Sequence, residues 1–214
     1  HQCDRRQRQM CIRDSIITTS PIKGTIKRSD DPIIDNQLKE ELSSSEKNIA
    51  ENLMIVDVLR NDISRVSKKG SVEVTELAKI KSYKNVHHLV STIKGSLSEK
   101  LDAIDLLFAT LPGGSITGAP KIRAMEIISE LEKNRRGVYC GAIGFISFSK
   151  DSDFNIPIRT LTIADNTISI NCGGGIVSDS NAESEYQESI DKIENILREN
   201  RKKIIKQSSN VNQK

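Results

Sequence analysis

The chain has 214 residues, of which 36% are hydrophobic and only 3% are aromatic, and its formal net charge is +3. This length suits one domain with an apolar core of Ile, Leu and Val side chains. The lack of Trp and the scarcity of other aromatic residues argue against a surface on which nucleic-acid bases could stack, so we expect no nucleic-acid partner. No apolar run is long enough to cross a bilayer and no apolar signal segment opens the chain, so we expect a cytoplasmic protein without a membrane partner.

Residues 1–15 (HQCDRRQRQMCIRDS) differ in character from the sequence that follows them. They show no hydrophobic period and no turn chemistry, and their four Arg against two Asp account for most of the net charge. We therefore expect a non-native leader that takes no part in the fold, with the folded domain spanning residues 16–206. An organelle-targeting peptide is the alternative, which the absence of an amphipathic period disfavours.

The first half of the remaining chain is predicted to mix short strands with one long helix. Residues rich in β-formers predict a strand over 16–19, and the PIKGT run at 21–25 predicts a turn. Apolar residues at helical spacing predict a helix from about residue 36 to residue 60. Short strands are then expected over 71–93.

The second half is predicted to contain three helices and three strands, with a polar tail at 207–214 that we expect to be disordered. Strands and helices cluster rather than alternate, which predicts an α+β fold and not a doubly wound parallel sheet. The three strands are expected to form one antiparallel meander. In chain order the elements are helices over about 101–110 and 119–131, strands over 138–147, 155–163 and 167–171, and a helix from about 181 past 197.

Clustered carboxylates mark one candidate site. Glu185 and Glu188 are three residues apart on the predicted last helix, and Lys192 follows four residues later. This spacing places the three side chains on one helix face. With Glu51 of the first long helix they are the ligand type that a hard cation such as Mg²⁺ prefers. On spacing alone, a solvated helix face or an ion pair four residues apart is the alternative.

Glycine-rich segments precede two of the predicted helices. Gly173-Gly174-Gly175 lies between the last strand and the last helix, and backbone amides at such a turn can bind an anion. The loop 112–121, PGGSITGAPK, offers the hydroxyl of Ser115 and further amides. Neither segment has a nucleotide-binding pattern. A tight chain crossing for the glycines and an ordinary helix cap for the loop are the alternatives.

Six motifs occur in the order and approximate spacing of a known family. They are PIKGT, ENLMIVDVLRND, HHLVS, PGGSITGAPK, the strand that carries Arg159-Thr160, and GGGIVSDSNAESEYQES. On these motifs, residues 16 to about 200 resemble the chorismate-utilising enzymes, which include the anthranilate, isochorismate, salicylate and aminodeoxychorismate synthases. The resemblance implies the chorismate-binding fold, like that of anthranilate synthase component I, with antiparallel sheets and flanking helices, and with its N-terminal half missing.

The resemblance implies a metal and an active-site histidine. It makes Glu51 and Glu188 ligands of Mg²⁺, with Glu185 close to the metal, which would hold the ring carboxylate of chorismate. It makes His88 the histidine near the departing C4 oxygen. A histidine whose hydrogen bonds are satisfied within the sheet is the alternative for His88.

The resemblance also implies substrate contacts. Tyr139 and Arg159 match the pair that holds the enolpyruvyl carboxylate, since a guanidinium fork suits a planar carboxylate. The further substrate contacts that it implies are Thr25, Ser115, Gly173, Gly174 and Lys192.

Lys23 distinguishes two chemistries within the family. Anthranilate synthases have PIAGT at the first motif, whereas the aminodeoxychorismate enzymes have lysine, as this chain does. The resemblance implies that Lys23 attacks C2 of chorismate, that the C4 hydroxyl leaves, and that ammonia then adds at C4. The product would be 4-amino-4-deoxychorismate, for folate and para-aminobenzoate synthesis. An anthranilate synthase with an unusual lysine, or an ordinary exposed turn lysine, are the alternatives.

One departure from the family concerns the general acid. The family supplies this acid from a Ser-Pro-Glu motif, whose position here falls on Gln7 in the leader. We therefore expect an incomplete gene product, and an inactive fragment is a further alternative. Ammonia is expected from a separate glutamine amidotransferase subunit.

Overall fold

The computed structural model describes residues 8–164, 167–178 and 180–194. The chain divides into two compact units. The first comprises His1–Arg135 and Cys140–Ile156, and the second comprises Arg136–Tyr139 and Pro157–Lys214. In the described part of the chain, no helix has the length and apolar character needed to span a bilayer.

A seven-stranded sheet organises the first unit around its longest strand, β5. One edge of β5 pairs with β2 and β3 in succession and the other edge pairs with β4, all antiparallel. The order through the sheet is β3-β5-β2-β1-β7-β6, with β4 beside β5. The strands are β1 (Arg8–Arg13), β2 (Ile16–Thr19), β3 (Ile22–Lys27), β4 (Glu73–Ser82), β5 (Val86–Ser96), β6 (Ile143–Ile146) and β7 (Ser152–Asn155).

The described part of the first unit has five helices, of which α2 and α3 contribute residues to the core. The helix α2 packs against β5 and buries Ile55, Val56, Leu59 and Ile63 against the sheet, where Ile93 is fully buried. Apolar burial of this kind is the main favourable term in folding. The helices are α1 (Pro32–Ser44), α2 (Glu46–Ser64), α3 (Ala103–Thr110), α4 (Gly114–Thr117) and α5 (Lys121–Leu131).

The predicted helix over 36–60 is in fact two helices, α1 and α2. Ser45 adopts an extended backbone between them, and its hydroxyl accepts a hydrogen bond from the amide of Asn48 in the first turn of α2. Asp31 caps α1 in the same way, ahead of Pro32. The prediction missed this break because a serine inside a long polar helix and a serine that caps a new helix look alike in sequence.

The expectation that residues 1–15 take no part in the fold is wrong for residues 8–13. These residues form β1, which pairs with β2 and with β7. Met10 and Ile12 of this strand belong to the buried core. The alternation that buries them is too short to stand out in a sequence rich in arginine and glutamine. Residues 1–7, including Gln7, lie outside the described residues, and the non-native origin of the segment stays a prediction.

The PIKGT run, predicted as a turn, is part of strand β3. The register of β3 against β5 shifts between Ile22 and Thr25, so the segment is a bulged strand. Gly24 has a φ of +82°, a conformation that glycine adopts readily and other residues avoid. The prediction of a turn was wrong because bulges and turns both use glycine at positive φ.

The predicted meander over 138–171 is two separate hairpins. Strands β6 and β7 pair within the seven-stranded sheet, whereas β8 (Thr160–Ala164) pairs with β9 (Thr167–Asn171) in the second unit. Residues 182–194 of the second unit are helical. The predicted continuation of this helix past 197 and the predicted disorder of 207–214 lie outside the described residues.

Candidate active site

The pair of strands β3 and β5 brings two of the predicted site residues together. Thr25 of β3 is the Cα partner of His88 of β5, and its Oγ1 lies 2.8 Å from His88 Nδ1. Because cross-strand partners on one face lie closest in an antiparallel pair, this contact follows directly from the register. The structure therefore orients the His88 ring through the hydroxyl of Thr25.

His88 lies in a partly enclosed environment. The Tyr83 ring packs against it at a centroid distance of 5.4 Å and an interplanar angle of 59°. Burial lowers the pKa of His88 below its ordinary 6.5, and a hydrogen bond with the backbone of Gly24 partly opposes this shift. Because a buried imidazole favours the neutral form, one ring nitrogen of His88 can accept a proton at neutral pH.

Lys23 faces a carboxylate of the helix above the sheet. Its Nζ lies 3.5 Å from Oε2 of Glu51 on α2, and both side chains are partly exposed, at 26% and 31%. Gly24 makes this approach possible, because a Cβ at that position would lie 2.9 Å from Leu42 Cδ1 and 3.0 Å from Asn48 Cγ. The bulge in β3 thus positions the amine of Lys23 beside the carboxylate of Glu51.

A second polar cluster anchors the loop that carries Ser115. Lys121 Nζ donates to Asp62 Oδ2 at 2.6 Å and to the carbonyl oxygen of Pro112 at 3.3 Å. Arg65 Nη2 donates to the other carboxylate oxygen of Asp62 at 2.9 Å, and the Asp62 side chain is only 1% exposed. The loop is therefore fixed to α2, the helix that also carries Glu51.

The second unit brings together six of the predicted residues around its glycine segment. Lys192 Nζ donates to the carbonyl oxygen of Gly173 at 3.3 Å and pairs with Glu188 Oε1. A Cβ at Gly173 would lie 3.1 Å from Tyr139 Oη, and a Cβ at Gly174 would lie 2.9 Å from Glu185 Oε2. The two glycines thus allow the polar groups to approach the backbone closely.

Two of the predicted site residues, Arg159 and Ser115, are exposed. No side-chain hydrogen bond or ion pair in the described part of the chain involves either of them. Arg159 precedes β8 with a φ of +51°. Their roles as substrate contacts stay predictions.

The donors in the second unit suit a hard cation. Glu185 Oε1 accepts a hydrogen bond from Ser180 at 2.6 Å, while Oε2 is buried and has no hydrogen-bond partner among the described residues. A buried carboxylate oxygen without a donor is costly unless a cation reaches it. Across residues 8–164, 167–178 and 180–194, no three Asp, Glu, His or Cys side chains converge as a metal site. Ligation of Mg²⁺ by Glu51, Glu185 and Glu188 therefore stays a prediction.

One group of side chains beside the predicted site was not predicted from the sequence. His87, the strand neighbour of His88, is fully buried and contacts Asp35 of α1. Arg28 forms an ion pair with Asp35 and, with its hydrogen bonds, holds the pKa of that carboxyl well below its usual range. Adjacent histidines on opposite faces of a strand were the available signal, because one of the two had to point into the protein.

Comparison with known proteins identifies the family. Residues 8–198 match the model of the chorismate binding enzyme family. The chain belongs to this family. The match includes β1, which agrees with the place of that strand in the sheet.

Relatives of the chain include proteins with different names. Proteins named aminodeoxychorismate synthase component 1 from Salmonella typhimurium and Escherichia coli are 53% identical over 191 residues and 55% identical over 186 residues. These matches cover 89% and 87% of the chain but only 42% and 41% of the relatives. Anthranilate synthase component 1 of Aquifex aeolicus is 46% identical over 187 residues, which is 87% of the chain and 38% of that protein. The chain thus spans about two fifths of the length of these relatives.

Solved structures confirm the predicted α+β chorismate-binding fold. Anthranilate synthase component I from Streptococcus pneumoniae superposes with a TM-score of 0.76 at 43% identity, over 87% of the chain and 41% of that protein. The menaquinone-specific isochorismate synthase MenF of Escherichia coli superposes with a TM-score of 0.78 at 27% identity, over 89% and 44%. The same fold therefore accompanies different reactions, and the reaction must be argued from the site.

Proposed function

We propose that the chain is the chorismate-aminating part of an aminodeoxychorismate synthase component 1. The main support for this proposal is the position of Lys23. Its amine, on a bulged strand, lies 3.5 Å from Glu51 Oε2. The two relatives with that name, at 53% and 55% identity, support the same choice. The site would act in the cytoplasm, on the route to para-aminobenzoate and folate.

In the proposed reaction, the neutral amine of Lys23 forms a bond to C2 of chorismate while the bond from C4 to its hydroxyl breaks. A proton from an acid converts the departing hydroxyl to water, with His88 near the C4 oxygen. Ammonia then bonds to C4 as the bond between C2 and Lys23 breaks, which returns the lysine. One ammonia is consumed and one water is released. A lysine on C2 accounts for nitrogen arriving at C4.

The proposed substrate contacts are the residues that the family motifs identify. Thr25 and Ser115 are two of them, and Arg159 with Tyr139 would bind the enolpyruvyl carboxylate. Gly173, Gly174 and Lys192 would add an amide and a cation. Each of these groups offers a donor, as a substrate with two carboxylates requires.

Glu51, Glu185 and Glu188 are the residues that would hold Mg²⁺. A bound Mg²⁺ would supply positive charge to the ring carboxylate of the substrate. Oε2 of Glu185 is buried and has no hydrogen-bond partner among the residues that the structure describes, which supports this assignment. Lys23 and Lys192 now pair with Glu51 and Glu188, so both carboxylates already serve as acceptors for cations.

Ammonia is proposed to come from a glutamine amidotransferase on another chain. The relatives are named component 1, which agrees with a second component. The proposal predicts that ammonium salts replace glutamine when the partner subunit is absent.

Product analysis tests the proposed reaction. The complete coding sequence around this chain is expressed, and its product is incubated with chorismate, ammonium and Mg²⁺. We expect 4-amino-4-deoxychorismate by mass spectrometry. Anthranilate as the product would instead identify an anthranilate synthase, a choice that the relative from Aquifex aeolicus keeps open. Chorismate binding by calorimetry without either product would identify an inactive protein.

A further inference from the structure

The buried histidine beside His88 belongs to a network that joins both strands of the site. His87 Nε2 lies 3.0 Å from Asp35 Oδ1, and His87 Nδ1 lies 2.8 Å from Ser82 Oγ. The His87 ring is fully buried, and the side chain of Asp35 is only 7% exposed. Such a network is held in one arrangement, because breaking it would leave buried polar atoms without partners.

The carboxylate of Asp35 receives donors from the segment that follows β3. Arg28 donates to it twice, from Nε at 3.2 Å and from Nη2 at 2.8 Å, and the amide of Ser29 donates at 3.1 Å. Arg28 Nη1 also donates to the carbonyl oxygen of Tyr83, at the turn between β4 and β5. Asp35 therefore binds the end of β3 and, through His87, a residue of β5 at the same time.

The position of this link matters for the candidate site. His87 is the Cα partner of Ile26, and the next pair along the two strands is His88 with Thr25. The Asp35 link thus lies one residue pair from the contact between Thr25 and His88. A shift of one strand against the other at this point would move His88 relative to Thr25 and Lys23.

The chemistry of the two groups determines which of them donates in the hydrogen bond between His87 and Asp35. An ionised carboxylate only accepts hydrogen bonds, so Nε2 of His87 carries the hydrogen in its bond with Asp35. The hydroxyl of Ser82 can donate or accept, and it adapts to whatever Nδ1 requires. The hydrogen bond to Asp35 therefore requires a hydrogen on Nε2, whereas the hydrogen bond to Ser82 can form with either partner as the donor.

We propose that His87 is a positioning residue for His88, because its hydrogen bond to Asp35 fixes β5 against the end of β3. The effect on the reaction rests on the proposed function. The effect on the geometry of His88 does not.

Two substitutions separate the two hydrogen bonds of His87. The amide nitrogen of Gln reaches about as far as Nε2 of His, so His87→Gln keeps a donor towards Asp35. The shorter Asn places its amide near the position of Nδ1, so His87→Asn keeps only the contact with Ser82. Ile93→Val, at another fully buried position of β5, is the control for general destabilisation.

The first measurement uses nitrogen NMR of the imidazole rings in the protein without substrate. We expect Nε2 of His87 to carry the hydrogen in the unchanged protein. In His87→Gln and Ile93→Val, the pKa and tautomer of His88 should stay as they were. In His87→Asn, the measured pKa of His88 should rise towards its ordinary 6.5, because looser packing exposes the ring.

An unchanged His88 in His87→Asn, or an equal change in the Gln and Asn variants, would overturn the proposal. A Gln variant that does not fold also contradicts it, since rescue is expected. Ser82→Ala gives an independent check, because it should leave His88 unaffected.

The second measurement is the kinetics of the complete gene product. A misplaced active-site group costs rate, so His87→Asn should lower kcat about tenfold to a hundredfold with little change in KM, and His87→Gln should recover most of the loss. A raised KM at unchanged kcat would contradict the positioning role. If the complete gene product makes no 4-amino-4-deoxychorismate, the proposed function fails, and the NMR comparison still decides the role of His87.

Discussion

At the scale of single residues, the candidate site depends on which groups face Lys23 and His88. Glu51 lies beside the amine of Lys23, and Thr25 lies beside the ring of His88. Neither contact could be predicted from the sequence without the resemblance, because both join residues far apart in the chain. The motifs indicated the residues. The register of β3 against β5 accounts for the contact between Thr25 and His88, and the position of α2 beside the bulge in β3 accounts for the contact between Lys23 and Glu51.

Replacement of Lys23 tests the role proposed for its amine. Lys23→Ala in the complete gene product should reduce formation of 4-amino-4-deoxychorismate by about a thousandfold or more, because no amine remains to attack C2. Lys23→Arg keeps the positive charge near Glu51 but gives no neutral amine, so it should be equally inactive. Mass spectrometry measures the product, and calorimetry confirms that chorismate still binds. Full activity in Lys23→Arg would show that only the charge matters.

Asp35 gives a prediction for the dependence of stability on pH. Its hydrogen bond with Arg28, aided by those of Ser29 and His87, lowers its pKa below the ordinary 3.8. A carboxyl whose pKa is lowered by folding stabilises the fold at pH above its unfolded value, and this contribution is lost as the pH falls below that value.

The matching experiment compares the unchanged protein with Asp35→Asn by urea unfolding between pH 7 and pH 2. The unchanged protein should be the more stable at pH 5 and above, and the difference should shrink as the pH falls below 3.8. Asp57→Asn, at an exposed position of α2, is the control for acid effects in general. A difference that does not depend on pH would mean that Asp35 acts by packing alone.

At the scale of elements, the bulge in β3 is the feature that places Lys23. Gly24→Ala should destabilise the protein by about 2–3 kcal/mol, because it combines an unfavourable φ of +82° with a Cβ 2.9 Å from Leu42 Cδ1. Gly70 is the matched control. Its φ is +76° but no atom of the described residues lies within 4 Å of a Cβ there, so Gly70→Ala should cost only about 1 kcal/mol.

The difference in unfolding free energy between Gly24→Ala and Gly70→Ala measures how closely side chains pack against the bulge. Chemical denaturation of both variants gives the two free energies of unfolding. Equal losses of unfolding free energy in the two variants would mean that Leu42 and Asn48 move aside easily. The bulge would then not depend on the absence of a side chain at position 24.

The elements also show where sequence patterns succeed and where they do not. The strand over 16–19 and the helix ending at Thr110 were predicted with nearly the observed bounds, since their signals are local. The strand β1 was missed because its burial depends on pairing with β7, which lies more than a hundred residues away. Ser45 was missed because a cap in the middle of a polar stretch has no hydrophobic boundary to mark it. Tertiary partners, which a single sequence does not display, decided these cases.

At the scale of the whole molecule, the two units differ in the extent to which their residues are buried. The first unit has a continuous core in which Leu89 and Ile93 are fully buried. No residue of the second unit that the structure describes is fully buried, although it carries five of the predicted substrate contacts, Tyr139, Arg159, Gly173, Gly174 and Lys192. Segments with few buried apolar contacts open at low free energy, and binding regions are often drawn from them.

Hydrogen exchange followed by mass spectrometry tests this difference. The hairpin of β8 and β9 is a two-stranded sheet, and such a hairpin is marginal in water without a core. Its amides should exchange at least about 100-fold faster than those of β5, which pairs on both edges and packs against α2. The amides of Lys69 and Gly70, two exposed residues before β4, serve as the rapidly exchanging reference. Equal protection of β5 and the hairpin would mean that the second unit opens only with the whole fold, and that its proposed substrate contacts are held as firmly as the core.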